Sequence, residues 1–265
     1  MRMACLLFVI LAALSAPALA VDIDGHIEPG EWEGARHITD FRQTQPLSGK
    51  PGSVHTEAWI LATPKGLAVA FRCDQPADVP RTRQRVQRDF EDQVDRVNLM
   101  VDFDGDGRTG YDFVVSSTGG INDAVITNQN TFNKDWDGNW KHAVSEDAAG
   151  WTVEILIPWY IAPMHADHDG KRTLRVYLDR VVGSTGERDA WPVASFTRPR
   201  FLSEFSPVEV QQYSQSLLAV TPYMSGLYDN VRGRSRLQEG ADLLWKPNGQ
   251  FQLTAALNPD FGQVE

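Results

Sequence analysis

Apolar and polar residues alternate with a period of two in several short runs, and the clearest of them fall within residues 95–159. In the first, Val97, Leu99, Val101 and Phe103 alternate with Arg96, Asn98, Met100 and Asp102. Tyr111, Phe113 and Val115 set the rhythm of the second, and Trp151, Val153, Ile155 and Ile157 that of the third. A period of two sends one set of side chains to a buried face and the other outward, so each run predicts a strand. The polar stretch 104–110, with Gly105, Gly107 and Gly110, predicts a hairpin turn between the first two. Met100 faces away from the apolar set of its own strand.

The same rhythm extends on both sides. Residues 23–32 predict a short strand, a glycine turn and a brief helical turn carrying Trp32 into the core. Residues 40–56 read as a polar loop, and 58–62 with 67–73 predict a hairpin around Pro64, Lys65 and Gly66. Residues 74–94 are charged and irregular. Leu174, Val176 and Leu178 predict another strand, and 183–213 read as a long loop. No helical period of useful length occurs. Short strands with closely spaced turns predict an all-β fold, an antiparallel, jelly-roll-like β-sandwich over residues 21–213.

From residue 214 the pattern weakens. Residues 217–223, 241–245 and 251–257 alternate apolar with small or polar residues, and Lys246, Pro247, Asn248 and Gly249 form a hairpin signal. Such strands resemble those of an outer-membrane barrel, and three are too few to close one, which takes about eight. The expectation for 214–265 is the start of an incomplete C-terminal barrel.

Residues 1–20 read as a secretory signal: Arg2, an apolar core from Leu6 to Leu14, and small residues at 18–20, with maturation at Val21. This predicts export to the periplasm or outer membrane of a Gram-negative bacterium. Cys5 leaves with the signal, so Cys73 is alone in the mature chain and reads as a core residue. The formal net charge is −10, which disfavours nucleic acid as a partner and suits a neutral ligand such as a sugar, or a divalent cation.

Candidate chemistry is sparse. Asp102, Asp104, Asp106 and Gly107 match alternate positions of a calcium loop, with Asp112 one place short of its last ligand. The alternative is a solvated acidic turn. Trp136 and Trp140, four apart in a loop with Asp135, Asp137 and Asn139, offer flat faces and polar partners for a sugar; alternatively they cap the core. Trp32, Trp59, Trp151 and Trp159 read as core by periodicity, and Trp191 reads either way. His165, Asp167, His168 and Asp169 contain zinc-ligand types but read as a polar loop. Neither a nucleophile elbow, a zinc-protease helix nor a phosphate loop is present, and no carboxylate pair stands out for glycoside cleavage.

Several stretches resemble a known family. IDGHIEPGEWEGA is similar to the opening of family 9 carbohydrate-binding modules. DRVNLMVDFDGDGRTGYDFVVSSTGGINDA, DWDGNWKHAV and GWTVEILIPW look like that module as it stands at the front of large bacterial outer-membrane β-barrel proteins of largely uncharacterised function. TPYMSGLYDN and LNPDFGQVE resemble the junction into the barrel, so the chain looks truncated there. The resemblance implies a non-catalytic β-sandwich that binds oligo- or polysaccharide, in the structural company of sugar- and haem-binding sandwiches. The family's site clamps a sugar between two aromatics, with an acid and a base reaching its hydroxyls. By position these fall at Phe90, Asn98, near Val114, and at Phe196 or Phe201; Asn98 and Val114 depart from the acid and the base.

The leading expectation is carbohydrate binding through Trp136, with Trp140 or Trp191 and the neighbouring Asp135, Asp137 and Asn139. The module would serve polysaccharide breakdown or uptake at the outer membrane, beside a glycoside-degrading partner enzyme. One alternative is a plug or assembly domain for the barrel with a degenerate sugar site. Another is haem ligation through Met100 and His142.

Overall fold

The computed structural model describes residues 21–89, 93–165, 170–229, 233–248 and 251–258. In chain order its strands are β1 (Arg36–Ile38), β2 (Arg42–Gln45), β3 (Thr56–Thr63), β4 (Gly66–Asp74), β5 (Arg96–Asp102), β6 (Gly110–Ser116), β7 (Ile121–Thr127) and β8 (Thr131–Asn133). They continue as β9 (Lys141–Glu146), β10 (Gly150–Ile157), β11 (Lys171–Val182), β12 (Glu187–Trp191), β13 (Ser206–Gln211), β14 (Leu217–Asp229), β15 (Arg234–Asn248) and β16 (Phe251–Leu257). The first sheet runs β1-β3-β4-β10-β9, and the second β2-β12-β11-β5-β6-β7-β8. β13 takes over from β12 along the same strand, β11, after an excursion over 192–205. Every pairing is antiparallel, as the short turns require.

The two sheets close over one core. Val97, Leu99 and Val101 of β5, Phe113 and Val115 of β6, and Leu174, Val176 and Leu178 of β11 meet Val69, Phe71 and Cys73 of β4 and Trp151, Val153 and Ile155 of β10. These are the residues that the period of two sends inward. Burying each aliphatic or aromatic side chain contributes about 1.5–3 kcal/mol. Cys73 is buried, and burial pushes its thiol up to about 12, so it is inert at neutral pH.

Both sheets also bury their outer faces, which alternation alone does not foretell. On the first sheet, Ala68, Ala70 and Leu156 are covered by the segment 21–35, with Val21 and Trp32. Trp32 therefore packs outside the main core rather than in it. Trp59 shares that outer face, half-exposed, and stacks on His37 with ring centroids 4.7 Å apart. Trp151 and Trp159 lie in the core. On the second sheet the 192–205 excursion lays Phe201, Leu202 and Phe205 over Met100, Ile126 and Tyr177. Gly110 makes that approach feasible, because a Cβ there would sit 2.7 Å from the Leu202 side chain.

Two segments that read as loops contain strands. β2 lies within 40–56, and β12 and β13 within 183–213. β2 is an edge strand with one buried residue, Thr44, so its sequence carries no apolar rhythm. In β12 the buried positions are Asp189 and Ala190, and a carboxyl at an inward position disguises the strand.

β14, β15 and β16 form a separate antiparallel sheet. Its register sets Leu218 opposite Trp245 and Trp245 opposite Leu253. Val220, Met224, Tyr228, Leu237, Phe251 and Leu257 share that face, and all of these apolar side chains are exposed. The opposite face carries Ala219, Thr221, Asp242, Thr254 and Ala256.

Candidate functional site

The tryptophan loop is anchored by a buried acid. Asp123, fully buried on β7, accepts hydrogen bonds through Oδ2 from the Trp140 indole at 2.8 Å and the Gly138 N–H at 2.9 Å. Trp140 is thereby drawn into the core, edge-on to Phe113 at 5.4 Å. Trp136 stays half-buried, meeting Tyr111 at 5.1 Å and Phe113 at 6.1 Å. Asp135, Asp137 and Asn139 are exposed around it, and Arg88 bonds Asp137 and Asp123.

Trp191 is far from this pair. The registers place Trp191, Leu178, Leu99, Phe113 and Asp123 in one transverse row across the second sheet. Three strand spacings between Trp191 and Phe113 amount to roughly 14 Å. Trp191, with the Arg36 guanidinium 5.1 Å from its ring centre, therefore closes the opposite flank of the core. Trp136, Trp140 and Trp191 do not form one clamp. Phe90 lies outside the described residues.

The acidic turn also departs from expectation. Asp102, buried, accepts from the N–H groups of Asp104 at 3.2 Å and Gly105 at 2.8 Å through Oδ1, and from that of Gly107 at 2.7 Å through Oδ2. Asp104 instead bonds His165 at 2.8 Å and Arg172 at 3.4 Å, and Asp106 accepts from the Arg108 N–H at 2.9 Å. Asp112 is on β6, opposite Met100. The four carboxylates expected to hold calcium thus do not converge, because the amides of the tight turn take the Asp102 lone pairs. Gly105 and Gly107 supply the positive φ that aims those amides. Among the described residues, Asp89, Asp123 and Asp137 do bring ligand atoms together, and the Arg88 guanidinium lies against them. His165 is accounted for by Asp104; Asp167, His168 and Asp169 lie outside the described residues.

Met100 and His142 are not brought together either. Met100 lies on the outward face of the second sheet under the 192–205 segment. His142, on β9 of the first sheet, tilts against Trp140 and bonds the Gly119 carbonyl at 3.2 Å. Axial ligation of one haem by this pair is ruled out by their placement on different sheets, on opposite sides of β5 and β6.

That outward face brings together residues that the sequence did not link. One row runs Ala190, Asp179, Asn98, Val114, Asn122, and the next Tyr177, Met100, Asp112, Ala124. Phe201, Leu202 and Phe205 fill one end of the face. At the other end stand Asn98, Asp112, Asp179, Arg96 and Arg188. Arg188 bonds Asp179 at 3.2 Å, and its guanidinium lies 4.8 Å from the centre of the Phe196 ring. Among the described residues, Asn98 Oδ1, Asp112 Oδ1, Asp179 Oδ1 and Arg188 Nε are buried with no hydrogen-bond partner. Burial, seconded by the Asp179 charge, pushes the Asp112 carboxyl up to about 8, so it carries a proton at neutral pH. Burial also raises Asp179, against the pull of Arg188. A buried polar group left unpaired costs about 1–3 kcal/mol, so three acceptors and a donor left open on one face are a demand for a polar ligand or water. Asn98, expected as a sugar ligand, and Asp112, expected as a calcium ligand, both lie on this face, as do Val114 and Phe196 of the family resemblance. Asp179 and Arg188 were missed because outward positions of a regular alternation read as solvated; the cluster Phe196, Phe201, Phe205 was the signal that something covers them.

No protein-family model matches the chain, and no curated protein sequence matches it. Solved structures do resemble it, two of them as follows. One is a family 9 carbohydrate-binding module from Caldicellulosiruptor kristjanssonii in complex with cellotriose: TM-score 0.50, 11% identity, covering 72% of this chain and 90% of that one. The other is a protein from Bacteroides uniformis described as carbohydrate-binding: TM-score 0.52, 13% identity, covering 67% and 87%. At such identities the likeness is one of architecture, and the chain has a fold like that of the family 9 carbohydrate-binding modules.

Proposed function

We propose that the sandwich binds oligo- or polysaccharide without catalysis, on the outward face of the second sheet. The observation that carries this reading is the group of open, buried hydrogen-bonding atoms on Asn98, Asp112, Asp179 and Arg188 beside Phe196. Sugar hydroxyls both donate and accept, so one pyranose edge answers carboxyl, amide and guanidinium groups together. Val114, beside Asn98, gives an apolar patch for its C–H face, and Phe196 a flank. The fold it shares with carbohydrate-binding modules supports the same reading. In use, the module would hold polysaccharide for a glycoside-degrading partner.

Isothermal titration of the mature chain with cellotriose and xylo-oligosaccharides, wild type beside Asp179→Asn and Trp136→Ala, tests this. Loss of binding in Asp179→Asn with retention in Trp136→Ala supports the sheet-face site; the reverse moves the site to the tryptophan loop. Absence of binding in the wild type removes the sugar reading and favours a plug domain.

A second reading concerns 214–265. We infer that β14–β16 belong to an outer-membrane barrel, with the apolar face toward lipid and the small, polar face toward a lumen. Export through the signal at 1–20 belongs to this reading. Fractionation of the expressed chain between periplasm and outer membrane tests it.

A further inference from the structure

We propose that Glu187 and Asp189 share one proton as a carboxyl pair that fastens the segment 46–53 to the sandwich, and that losing this proton frees the segment and displaces Arg188.

Glu187 and Asp189 are two apart on β12 and so share its inner face. Glu187 holds the segment directly: its Oε1 accepts the Ser53 N–H at 2.7 Å, and its Oε2 accepts the Gln43 amide at 3.0 Å. Asp189 is fully buried, and neither of its oxygens meets an N–H or O–H of the described residues. A carboxyl in that state must find a donor, and a proton shared with Glu187, two residues along the same face, would supply one. The contact is close from above as well, since a Cβ on Gly52 would stand 2.4 Å from Asp189 Oδ2.

The other charged groups do not take over this task. On β11, Arg180 is opposite Asp189; its NH groups bond the His55 carbonyl at 3.1 Å, Thr56 at 3.2 Å and Gln75 at 3.2 Å, and its buried Nε–H meets no acceptor among the described residues, Asp189 included. Asp179, also on β11, belongs to the outward face with Arg188. From β2 come Gln43 and Thr44, with Arg42 bonded to Asp40, and from β3 Glu57, which bonds His37 and His55. Lys50 of the segment itself is exposed. Burial pushes the Asp189 carboxyl up to about 7, with the Glu187 charge next, which sets the transition near neutrality.

Arg188 lies between the two acids and points the other way. The β2–β12 register shifts between Arg188 and Asp189, where β2 carries the extra residue Thr44, so the pairing that holds Arg188 is already irregular. Two carboxylates repelling each other across that bulge would move the residue between them. Its effect on ligands rests on the sugar-binding reading; the release of the segment does not.

Amide hydrogen exchange of the mature chain from pH 5 to 9, corrected for intrinsic rates, reads the segment. Exchange at 48–53 is expected to rise about tenfold through neutrality in the wild type. It should stay flat in Asp189→Asn, where an amide N–H replaces the shared proton. The Arg188 Nε–H resonance should move with the same midpoint. A flat wild-type profile, or the same rise in Asp189→Asn, overturns the proposal, and an Arg188 signal that ignores the opening overturns its second half. Should Asp189→Asn not fold by circular dichroism, Asp189→Ser, whose hydroxyl also donates and does not titrate in this range, takes its place with the same expected profile.

Discussion

The indole N–H of Trp32 donates to Glu154 Oε1 at 3.3 Å across the outer face of the first sheet, while Glu154 Oε2 accepts the N–H groups of Asp24 at 3.0 Å and Gly25 at 2.9 Å. One buried carboxylate thus ties down the segment 21–35 that hides Ala68, Ala70 and Leu156. Glu154→Ala leaves three donors without this acceptor. A loss of about 3 kcal/mol in urea unfolding is expected, since each buried unpaired donor costs about 1–3 kcal/mol. Early proteolytic cutting within 21–35 should accompany it. Glu154→Gln, which keeps an accepting oxygen, should lose less. An unchanged unfolding midpoint in Glu154→Ala would show that the apolar contacts alone hold the segment.

Stability should depend on pH through Asp112. Its folded-state carboxyl is pushed from 3.8 to about 8, mainly by burial. Below about pH 4 the group is protonated folded and unfolded alike, and its contribution is fully present. Between about 4 and 8 the folded chain keeps a proton that the unfolded chain gives up, so stability falls as pH rises. The slope from one such group approaches about 1.4 kcal/mol per pH unit. Asp112→Asn should make the thermal-midpoint profile shallower between pH 5 and 8, leaving the slope from Asp189 up to about pH 7. A profile as steep in the variant as in the wild type would remove Asp112 as the source.

How far the sequence foretells this molecule follows from what hides each residue. The paired strands β5 and β6, the hairpin β3–β4 and strand β10 were legible because their inward residues are apolar. Both sheets of the sandwich could be inferred from them. The second layers could not. Asp179 and Asn98 occupy positions that alternation sends outward, and only the distant Phe196 and Phe201 turn that outside into an inside. Asp102 matched a calcium ligand by spacing, yet spacing is silent about the amides of Gly105 and Gly107 that take its lone pairs. Trp136, Trp140 and Trp191 were equivalent as letters. A single buried acceptor, Asp123, separates Trp140 from Trp136, and strand order separates both from Trp191.

That distinction is itself testable. Trp140→Phe keeps most of the apolar volume but strips Asp123 of its indole donor. A loss of about 1–3 kcal/mol is expected on chemical unfolding, the scale of a buried hydrogen bond to a charged group. Trp136→Phe, which removes no hydrogen bond given by the structure, should cost less than about 1 kcal/mol. Equal losses in the two variants would show that Asp123 does not organise the loop.

The row Leu218, Trp245, Leu253 offers the sharpest test of the third sheet. All three are exposed, and the face they share continues through Val220, Met224, Leu237 and Leu257. Contiguous apolar area of this kind is rare on a surface that stays in water. Strand geometry sends the neighbouring residues Ala219, Thr221, Asp242, Thr254 and Ala256 to the other side with Leu244, so one face can enter lipid while the other is mostly polar or small. Substituting Leu218, Trp245 and Leu253 together by serine leaves the backbone ladder and the sandwich untouched. The wild-type chain is expected to float with phosphatidylethanolamine–phosphatidylglycerol vesicles in a density gradient, and the triple variant to stay with the soluble fractions. Its thermal midpoint, reporting the sandwich, should not move. If wild type and variant distribute alike, the apolar face has some other use than lipid.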